Sequence, residues 1–408
     1  MNRIAIIGGG AAGLFSAITA KETNSSARVV IFEKSDRVLQ KVGISGGGRC
    51  NLTNGCYTVS ELCASYPRGG KALKKVFYNF SNKDTISWFE SRGVPLVVED
   101  NLRVFPESGK AASVVDCLTW EAKRLDIEIK TGSVVRKIEK TSERFMIFFA
   151  DDQTVSEEFD RVIITTGGSP QRKGLEWIEN LGHKIEEPVP SLFSFDMPGE
   201  DVRELMGVTV EKVLTRVQGT KFASEGSLLI THWGMSGPAI LKLSSFGARV
   251  LHSMNYKFRV QVNWTAESNN DLVLNELIDL ASRHSKKSIA NFKPYNLPGR
   301  LWLFLLIKAD IDGSRNWSEL GKKGLNKLVN SLTNDTYKVE GRTTFKDEFV
   351  TCGGVSLENV DMNTMESKSC KGLFFAGEVL DIDAVTGGFN LQAAWSTGYV
   401  AGVNAATS

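Results

Sequence analysis

Apolar residues at the start of the chain are grouped into short runs. Arg3–Ile7 and Arg28–Phe32 are brief and rich in Ile and Val, as buried strands are, and the run Leu14–Lys21 between them is compatible with a helix. The pattern therefore predicts a strand, a helix and a second strand at the start of the chain.

Two further apolar runs predict strands of the same kind. One is Arg161–Thr165, and the other lies within Gly372–Glu378. The second is followed by a glycine-containing turn and by a helix-compatible segment that we expect to extend to about Asn404. We therefore expect residues 1–190 and 340–408 to form one discontinuous α/β domain.

The middle of the chain shows two other patterns. Residues 191–267 contain short segments in which apolar and polar positions alternate, for example Phe258, Val260 and Val262, and these predict half-exposed strands. Residues 268–339 instead carry leucines near helical spacing. We expect an inserted β-rich domain over the first range and an inserted helical domain over the second.

A G-x-G-x-x-G pattern, formed by Gly8, Gly10 and Gly13, lies between the first predicted strand and helix. Gly8 permits a tight turn, Gly10 lets a pyrophosphate approach the backbone, and Gly13 lets the helix pack against the strand. Glu33 follows the second strand, where an acidic side chain accepts hydrogen bonds from an adenosine ribose and disfavours a 2′-phosphate. Together these features predict a dinucleotide site, either NAD or FAD, against the alternative of a glycine turn that only caps a helix.

Three more glycine-rich loops bear on the choice of dinucleotide. Gly46–Gly48, Thr166–Gly168 and Thr386–Gly388 let the backbone lie close to a flat ring or a phosphate, or else form ordinary surface turns. The last of them opens the C-terminal helix, whose N-terminus can stabilise negative charge on a reduced flavin. An NAD enzyme has no evident need for so distant a second site, so the loops favour FAD.

Composition and charge exclude several classes of protein. The chain has 408 residues, of which 42% are hydrophobic and 24% charged, as in ordinary globular proteins. Its 49 basic and 47 acidic residues give a net charge of +2 without a basic tract, so we expect no nucleic-acid partner. The longest strongly apolar run, Leu301–Ile307, is too short to span a membrane. The six cysteines lack a C-x-x-C pair and indicate a reducing, cytoplasmic compartment, and we expect no metal site.

Few residues offer chemistry beyond that of the cofactor. No second G-x-G-x-x-G occurs between Gly168 and Phe345, so NAD(P)H would bind only transiently, or oxygen or another acceptor would be the second partner. Cys50 is the only cysteine in a flavin-type motif, and we favour a packing role over a redox thiol. His232 is our candidate catalytic acid or base, although a loop-ordering hydrogen bond is the simpler interpretation.

Five segments of this chain resemble those of a widespread family of bacterial FAD flavoproteins. They are GGGAAG, KVGISGGGRCNLTN, THWGMSGPAIL, TCGGV and GLFFAGEVLDIDAVTGGFNLQAAWSTGY. The family includes NAD(P)/FAD-dependent oxidoreductases, aminoacetone-oxidase-like enzymes and relatives of a flavoprotein of bile-acid metabolism. The resemblance spans nearly the whole chain. It implies a Rossmann-like FAD domain of the glutathione-reductase type, interrupted by an inserted β-rich and helical module, and it identifies the cofactor far better than the substrate.

We therefore expect an FAD-dependent oxidoreductase that cycles FAD and FADH₂ on a small organic substrate, at a cleft between the FAD domain and the insert. The alternatives are an FAD enzyme that modifies tRNA, which the even scatter of charge counts against, and a flavin sensor or electron carrier without a substrate. The residues expected to contact FAD are Gly8, Gly10, Ala11, Ala12, Gly13, Glu33, Lys34, Lys41, Gly48, Arg49, Cys50, Asn51, Val135, Thr166, Gly167, Gly168, Gly377, Glu378, Asp383, Gly387, Gly388, Asn390 and Leu391.

Overall fold

A computed structural model of the chain describes residues 2–99, 101–150, 156–343 and 350–407. The chain divides into two units. The terminal unit contains both chain ends, Met1–Ser191 and Lys346–Ser408, and the inserted unit is Leu192–Phe345.

The first segment of the terminal unit alternates strands and helices. Its strands are β1 (Arg3–Ile7), β2 (Arg28–Phe32), β3 (Thr53–Asn54), β4 (Leu96–Val98), β5 (Arg103–Pro106), β6 (Glu128–Lys130), β7 (Val135–Lys140), β8 (Phe145–Phe149), β9 (Glu157–Phe159), β10 (Arg161–Ile164) and β11 (Ile185–Ser191). Its helices are α1 (Ala11–Thr23), α2 (Gln40–Gly48), α3 (Val59–Ala64), α4 (Gly70–Asn79), α5 (Asn82–Glu90), α6 (Ala112–Arg124) and α7 (Glu176–Glu179).

The inserted unit and the second segment of the terminal unit complete the chain. The inserted unit contains β12 (Ser194–Asp196), β13 (Thr209–Val217), β14 (Ala223–Ile230), β15 (Gly234–Ser236), α8 (Pro238–Ser253), β16 (Phe258–Asn263), α9 (Asn270–Arg283), α10 (Gly299–Lys308), α11 (Gly321–Thr333), β17 (Asp335–Val339) and β18 (Gly341–Thr343). The second segment contains β19 (Val350–Val355), β20 (Val360–Asp361), β21 (Glu366–Ser367), β22 (Leu373–Phe375) and α12 (Phe389–Thr407).

A seven-stranded sheet in the order β20-β21-β22-β10-β1-β2-β6 forms the centre of the terminal unit. Its five strands from β22 to β6 are parallel. Ile4, Ala5 and Ile6 of β1 are fully buried, because both faces of a parallel sheet are covered. Continuous apolar runs, rather than alternating ones, are therefore what these strands require. This is the Rossmann-like architecture that the sequence predicts.

The two chain ends of the terminal unit meet through a close helix pair. A Cβ on Gly398 of α12 would lie 2.9 Å from the carbonyl oxygen of Ala12 in α1, and one on Gly402 would lie 2.6 Å from that of Ser16. Only glycine at these positions lets the two backbones approach so closely. α1 and α12 are consequently buried around most of their circumference and close the discontinuous unit on itself.

The inserted unit is built on a second seven-stranded sheet, in the order β17-β16-β13-β14-β15-β12-β18, with antiparallel pairing throughout. Val260 and Val262 of β16 belong to the same hydrophobic cluster as Leu277 of α9 and Trp302 and Leu305 of α10. The β-rich and helical parts of the insert therefore share one core. Within the described ranges of the chain, no helix has the length and apolar character needed to cross a lipid bilayer.

Candidate cofactor site

Four central strands of the parallel sheet end at the same level. Ile7 at the end of β1 lies opposite Phe32 of β2 and Ile164 of β10, and Ile164 lies opposite Phe375 of β22. The loops that follow these strands therefore lie side by side along one edge of the sheet. Ligands of open α/β sheets bind at this carboxyl edge.

Glycine is required for different reasons at the three positions of the G-x-G-x-x-G pattern in the first loop. Gly8 has φ 112°, and a Cβ there would lie 2.5 Å from the carbonyl oxygen of Thr165, while a Cβ on Gly13 would lie 1.9 Å from the carbonyl oxygen of Gly8. Gly10 instead has an ordinary φ of −84°, and a Cβ there would meet no atom of the described residues within 4 Å. Packing within the chain explains Gly8 and Gly13, whereas the space beside Gly10 fits a group that approaches the backbone from outside.

The N-terminus of α1 faces that space with unused hydrogen-bond donors. Gly10 is the N-cap residue and supplies no side-chain cap, and the first turn contains no acidic residue. The first N–H groups of a helix have no acceptor within the helix, and in α1 these include the N–H groups of Ala11 and Ala12. The helix dipole makes the electrostatic potential at this end positive. This chemistry fits the pyrophosphate of a dinucleotide.

Glu33 is held in place beside this loop. Its carboxylate accepts hydrogen bonds from the backbone N–H groups of Gly9 (2.7 Å) and Ser35 (2.8 Å). Ser133, two residues before Val135, donates its backbone N–H to the carbonyl oxygen of Glu33 at 2.8 Å, so the start of β7 lies next to Glu33. Each carboxylate oxygen has a second lone pair, so Glu33 can still accept from a ribose hydroxyl.

The glycine-rich segment after α1 and β2 leaves helical geometry within α2. Gly46, Gly47 and Gly48 have φ values of 58°, 68° and 82°, which L side chains rarely adopt. Arg49 follows them, donates to Glu99 at 2.8 Å and lies 4.0 Å from the centre of the Phe105 ring. Its hydrogen bond lowers the pKa of the Glu99 carboxyl. The backbone of this segment is thus exposed, while the arginine side chain is occupied by the protein.

The Cys50 side chain points into the protein interior, unlike the exposed glycines that precede it. It is fully buried, and burial raises the pKa of its thiol to about 12. A thiol with this pKa stays protonated at neutral pH and is a poor nucleophile. The environment of Cys50 favours the packing role.

Asn51 joins the N-terminal half of the site to the turn before α12. With its amide oriented to satisfy both atoms, its nitrogen donates to the carbonyl oxygen of Thr53 and its oxygen accepts from the N–H of Gly388, each at 3.1 Å. A Cβ on Gly388 would lie 2.3 Å from the carbonyl oxygen of Thr53. Asn54 also donates to the carbonyl oxygen of Gly387 at 3.1 Å. Two distant parts of the sequence are therefore locked together here.

Glu378, after β22, gathers four chain segments at the same sheet edge. Its carboxylate accepts from the backbone N–H of Thr351 at 3.0 Å and from the Lys41 ammonium at 3.1 Å. A Cβ on Gly168 would lie 2.9 Å from a Glu378 oxygen, and one on Gly377 would lie 2.8 Å from Cβ of Ala12 in α1. Glu378 thus lies directly beside the loop that follows β10.

The Thr351 hydroxyl is buried at this place and has no hydrogen-bond partner among the described residues. An unsatisfied buried hydroxyl is unusual in a folded protein, where most such groups are paired. Together with the space beside Gly10, it is a second feature of this edge that the chain alone leaves unexplained.

Asp383 and Asn390 use their side chains within the protein. Asp383 is fully buried, forms a two-bond ion pair with Arg68 and accepts from the Ser191 hydroxyl at 2.6 Å. Burial raises the pKa of the Asp383 carboxyl, and the Arg68 and Ser191 bonds oppose that rise. Asn390 accepts from the N–H of Ala384 at 3.0 Å and donates to its carbonyl oxygen at 3.2 Å. Both side chains fix the loop before α12 rather than facing open space.

Three other predicted residues lie at the surface or near it. Lys34 and Thr166 are exposed at the ends of β2 and β10, and Leu391 is half-buried in the first turn of α12. Gly167 has φ 75°, as a turn that leaves the sheet sharply requires.

His232 lies in the inserted unit, on the turn between β14 and β15. Its side chain is exposed, and its ring lies edge-on to Trp233 with ring centres 4.3 Å apart. Its carbonyl oxygen accepts from Arg203 at 2.8 Å. The imidazole itself makes no hydrogen bond in the described chain, so its catalytic role stays a prediction. No cluster of His, Cys, Asp and Glu suited to a metal ion occurs among the described residues.

Sequence reasoning missed several residues that build this site. Arg68 and Ser191 hold Asp383, Thr351 holds Glu378, and Thr397 accepts the N–H of Gly377 at 2.9 Å. Thr351 opens the family segment TCGGV and Thr397 lies within the C-terminal family segment, whereas Arg68 and Ser191 stand in no recognisable motif. Only the fold brings these last two to the site.

Comparison with known proteins places these features in a family. Residues 2–404 match the family described as HI0933-like protein Rossmann domain. The 3-dehydro-bile acid delta(4,6)-reductase of Clostridium scindens is 30% identical over 414 residues, which cover 100% of this chain and 99% of that protein. The ribosomal RNA dihydrouridine synthase of Escherichia coli is 28% identical over 97% of this chain and 95% of its own.

Solved structures share the fold at lower sequence identity. The 3-ketosteroid-delta4-(5alpha)-dehydrogenase of Rhodococcus jostii superposes with a TM-score of 0.53 at 13% identity, over 100% of this chain and 97% of that one. At this identity the likeness concerns the fold alone.

Proposed function

The chain belongs to the HI0933-like family of Rossmann-domain proteins and is an FAD-dependent oxidoreductase, and we propose that it reduces a carbon–carbon double bond conjugated to a carbonyl group. The observation that carries the cofactor assignment is the space beside Gly10, at the uncapped N-terminus of α1 and on the carboxyl edge of the sheet. No contact with the described residues requires glycine there, whereas a bound pyrophosphate would.

The residues that we propose to hold FAD follow the order of the strands across the sheet. The α1 N-terminus would bind the pyrophosphate, Glu33 the ribose, and Val135 the adenine. The segments 46–51, 166–168, 377–378 and 386–391 would surround the flavin half. We assign Asp383 and Asn390 to fixing the last of these segments, because their side chains already bond to the chain.

FAD supplies hydride transfer when it is bound, and the protein supplies orientation and electrostatics. The N-terminus of the long helix α12 follows directly on the glycines at 387 and 388. Its dipole would stabilise the negative charge that a reduced flavin carries. Lys41 is exposed, and its ammonium lies 3.1 Å from the Glu378 carboxylate beside the same edge.

The reaction class is supported by the chemistry that two relatives' names share. A delta(4,6)-reductase of 3-dehydro-bile acids saturates double bonds conjugated with a ketone. A dihydrouridine synthase saturates the uracil double bond, which is conjugated with a ring carbonyl. In each case the conjugated carbonyl favours hydride addition to the alkene carbon farther from it, with a proton added to the other alkene carbon. A chain similar to both proteins over nearly its whole length is suited to this common step.

The substrate itself has two candidates. A small hydrophobic enone corresponds to the first relative, and uridine within RNA to the second. The local charge of the inserted unit, described below, is the observation that favours RNA.

An anaerobic reoxidation experiment tests the proposal. The flavin of the purified holoprotein is reduced chemically, and conjugated alkenes of both classes are then added, with their saturated counterparts as matched controls. We expect the visible absorbance of oxidised flavin to return with at least one conjugated compound and with neither saturated one. Reoxidation by none of the compounds, or equally by the saturated controls, would contradict the proposed reaction. Reoxidation only by a partner protein would support an electron carrier instead.

A further inference from the structure

Positive charge is concentrated in one part of the inserted unit. The whole chain has 49 basic and 47 acidic residues. Residues 283–327 contain ten Lys or Arg and only three Asp or Glu, which is a net charge of +7 and leaves −5 for the rest of the chain. A chain-wide balance near zero therefore conceals a strongly basic segment. Such asymmetry is typical of proteins that bind polyanions.

The three acidic residues of this segment pair with only one of its lysines among the described residues. Asp310 pairs with Lys327 at 3.0 Å, and Glu319 pairs with Arg315 at 3.3 Å. Asp312 accepts hydrogen bonds from Ser314. Among the described residues, five exposed lysines of the segment form no ion pair; they are Lys286, Lys287, Lys293, Lys322 and Lys323.

The fold brings two groups of these lysines to the same end of α11. The backbone N–H of Trp317 donates to the carbonyl oxygen of Lys287, and that of Ser318 donates to the carbonyl oxygen of Ser285, each at 3.1 Å. The loop after α9 is thereby held against the turn that leads into α11. Lys322 and Lys323 follow in the first turn of that helix, which contains no acidic residue to offset them.

A surface groove of about 630 Å³ runs along the exposed face of α11. Its lining residues are all lysines or asparagines: Lys322, Lys323, Asn326, Lys327 and Asn330. Lysine and asparagine side chains are the types that bind phosphate and sugar oxygens of nucleic acids. A membrane surface would favour apolar side chains among the lysines, and this groove contains none.

We propose that the lysine surface, formed by Lys286, Lys287, Lys322, Lys323 and Lys327, binds the phosphate backbone of an RNA. The inference rests on the proposed function, because it makes RNA the carrier of the conjugated base that is reduced. The lysine surface supplies sequence-independent affinity and positions the RNA. It revises the expectation drawn from the net charge of +2, which treated the basic residues as evenly scattered.

The test measures binding of a fluorescently labelled, uridine-rich single-stranded RNA to the FAD-loaded protein between about 50 and 200 mM salt. One variant carries Lys286→Gln, Lys322→Gln and Lys323→Gln. The matched control removes the same charge from exposed α4 lysines of the terminal unit, with Lys71→Gln, Lys74→Gln and Lys75→Gln; these three also lack ion pairs in the described chain. Flavin absorbance and urea unfolding show that each variant is folded.

The lysine surface predicts a specific change in salt dependence. Each phosphate contact contributes about 0.7 to the slope of log affinity against log salt for single strands, so loss of three contacts should lower the slope by about 2. Affinity at the upper salt concentration should fall about tenfold or more, and the control variant should change it less than about twofold.

Other results would overturn the inference. These are an unchanged slope in the first variant, an equal loss in the control, or binding of the wild type to anionic phosphatidylglycerol vesicles but not to RNA. Failure of the proposed reaction is distinguishable, because it would leave the reduced wild-type flavin unreactive with every conjugated alkene whether or not RNA binds.

Discussion

The buried ion pair between Asp383 and Arg68 provides a sharp test of how the loop before α12 is held. Their side chains are 0% and 13% exposed, and Asp383 also accepts from Ser191. Asp383→Asn keeps the shape of the side chain but removes its charge. It removes the carboxylate charge that faces the Arg68 guanidinium in a poorly solvated place.

The expected magnitude follows from that burial. Breaking a buried pair by removing one partner costs about 3–5 kcal/mol, because the remaining charge is uncompensated. The exposed pair of Asp279 and Arg283, with side chains 58% and 67% exposed, is the matched control. Asp279→Asn should change the free energy of unfolding by less than about 0.5 kcal/mol.

Urea unfolding is followed by flavin fluorescence, which reports on the terminal unit, and by tryptophan fluorescence, which reports on both units and therefore also on the control. The Asp383→Asn midpoint should fall well below that of wild type and of Asp279→Asn, and FAD should dissociate more readily, because Asp383 anchors the segment leading to the glycines at 387 and 388. The double variant Arg68→Met with Asp383→Leu should recover much of the loss, since both charges of the buried pair are then replaced together by apolar side chains.

Two results would refute this reasoning. A decrease of less than about 1 kcal/mol in the free energy of unfolding for Asp383→Asn would mean that the Asp383 carboxylate charge is not needed to stabilise the Arg68 guanidinium. Equal losses in the single and the double variant would mean that packing volume, rather than charge pairing, holds the segment.

Four other outcomes are expected. Gly10→Val should abolish FAD retention with only a small loss of stability, because a Cβ there meets no described atom within 4 Å and valine is a weaker N-cap than glycine. Gly199→Val, where a Cβ also meets no described atom within 4 Å, should keep FAD. Flavin still bound by the Gly10→Val variant would contradict the pyrophosphate site. Burial lowers the pKa of His183 below its usual value near 6.5, so the unfolded chain binds the proton more readily and the free energy of unfolding falls as the pH drops below about 6.5. His183→Gln should weaken this dependence of the free energy of unfolding on pH, as measured by urea titrations. An unchanged dependence would exclude His183 as its source. NADH or NADPH should reduce the flavin and should not be retained by the protein on gel filtration. A protein that elutes with one bound nicotinamide cofactor per chain would contradict transient binding. His232→Ala should slow flavin reoxidation by the conjugated substrate while FAD stays bound, and an unaltered rate would remove His232 from the chemistry.

The sequence predicted those parts of the fold that local chemistry determines. The strands Arg3–Ile7 and Arg28–Phe32 have the predicted bounds, because continuous apolar runs between polar turns leave little choice of position. The family and the Rossmann-like fold class were likewise predicted and are confirmed. The contacts proposed between individual residues and FAD stay predictions.

Long-range pairings could not be predicted in the same way. Arg68 and Asp383 are 315 positions apart, and Ser191 lies between them at the end of β11. No local pattern distinguishes such a pair from an exposed arginine and an exposed aspartate. The basic segment 283–327 could have been predicted from the sequence. Counting charged residues over that segment, rather than over the whole chain, shows its excess of Lys and Arg.

The flavin content of the purified protein tests the central claim most directly. Absorbance of the visible flavin band, compared with protein concentration and with the cofactor released on denaturation, gives the number and identity of bound flavins. The strand-end site of the terminal unit predicts one FAD per chain, either as isolated or after incubation with FAD. A protein that stays colourless after incubation, or that releases a different cofactor, would contradict the account.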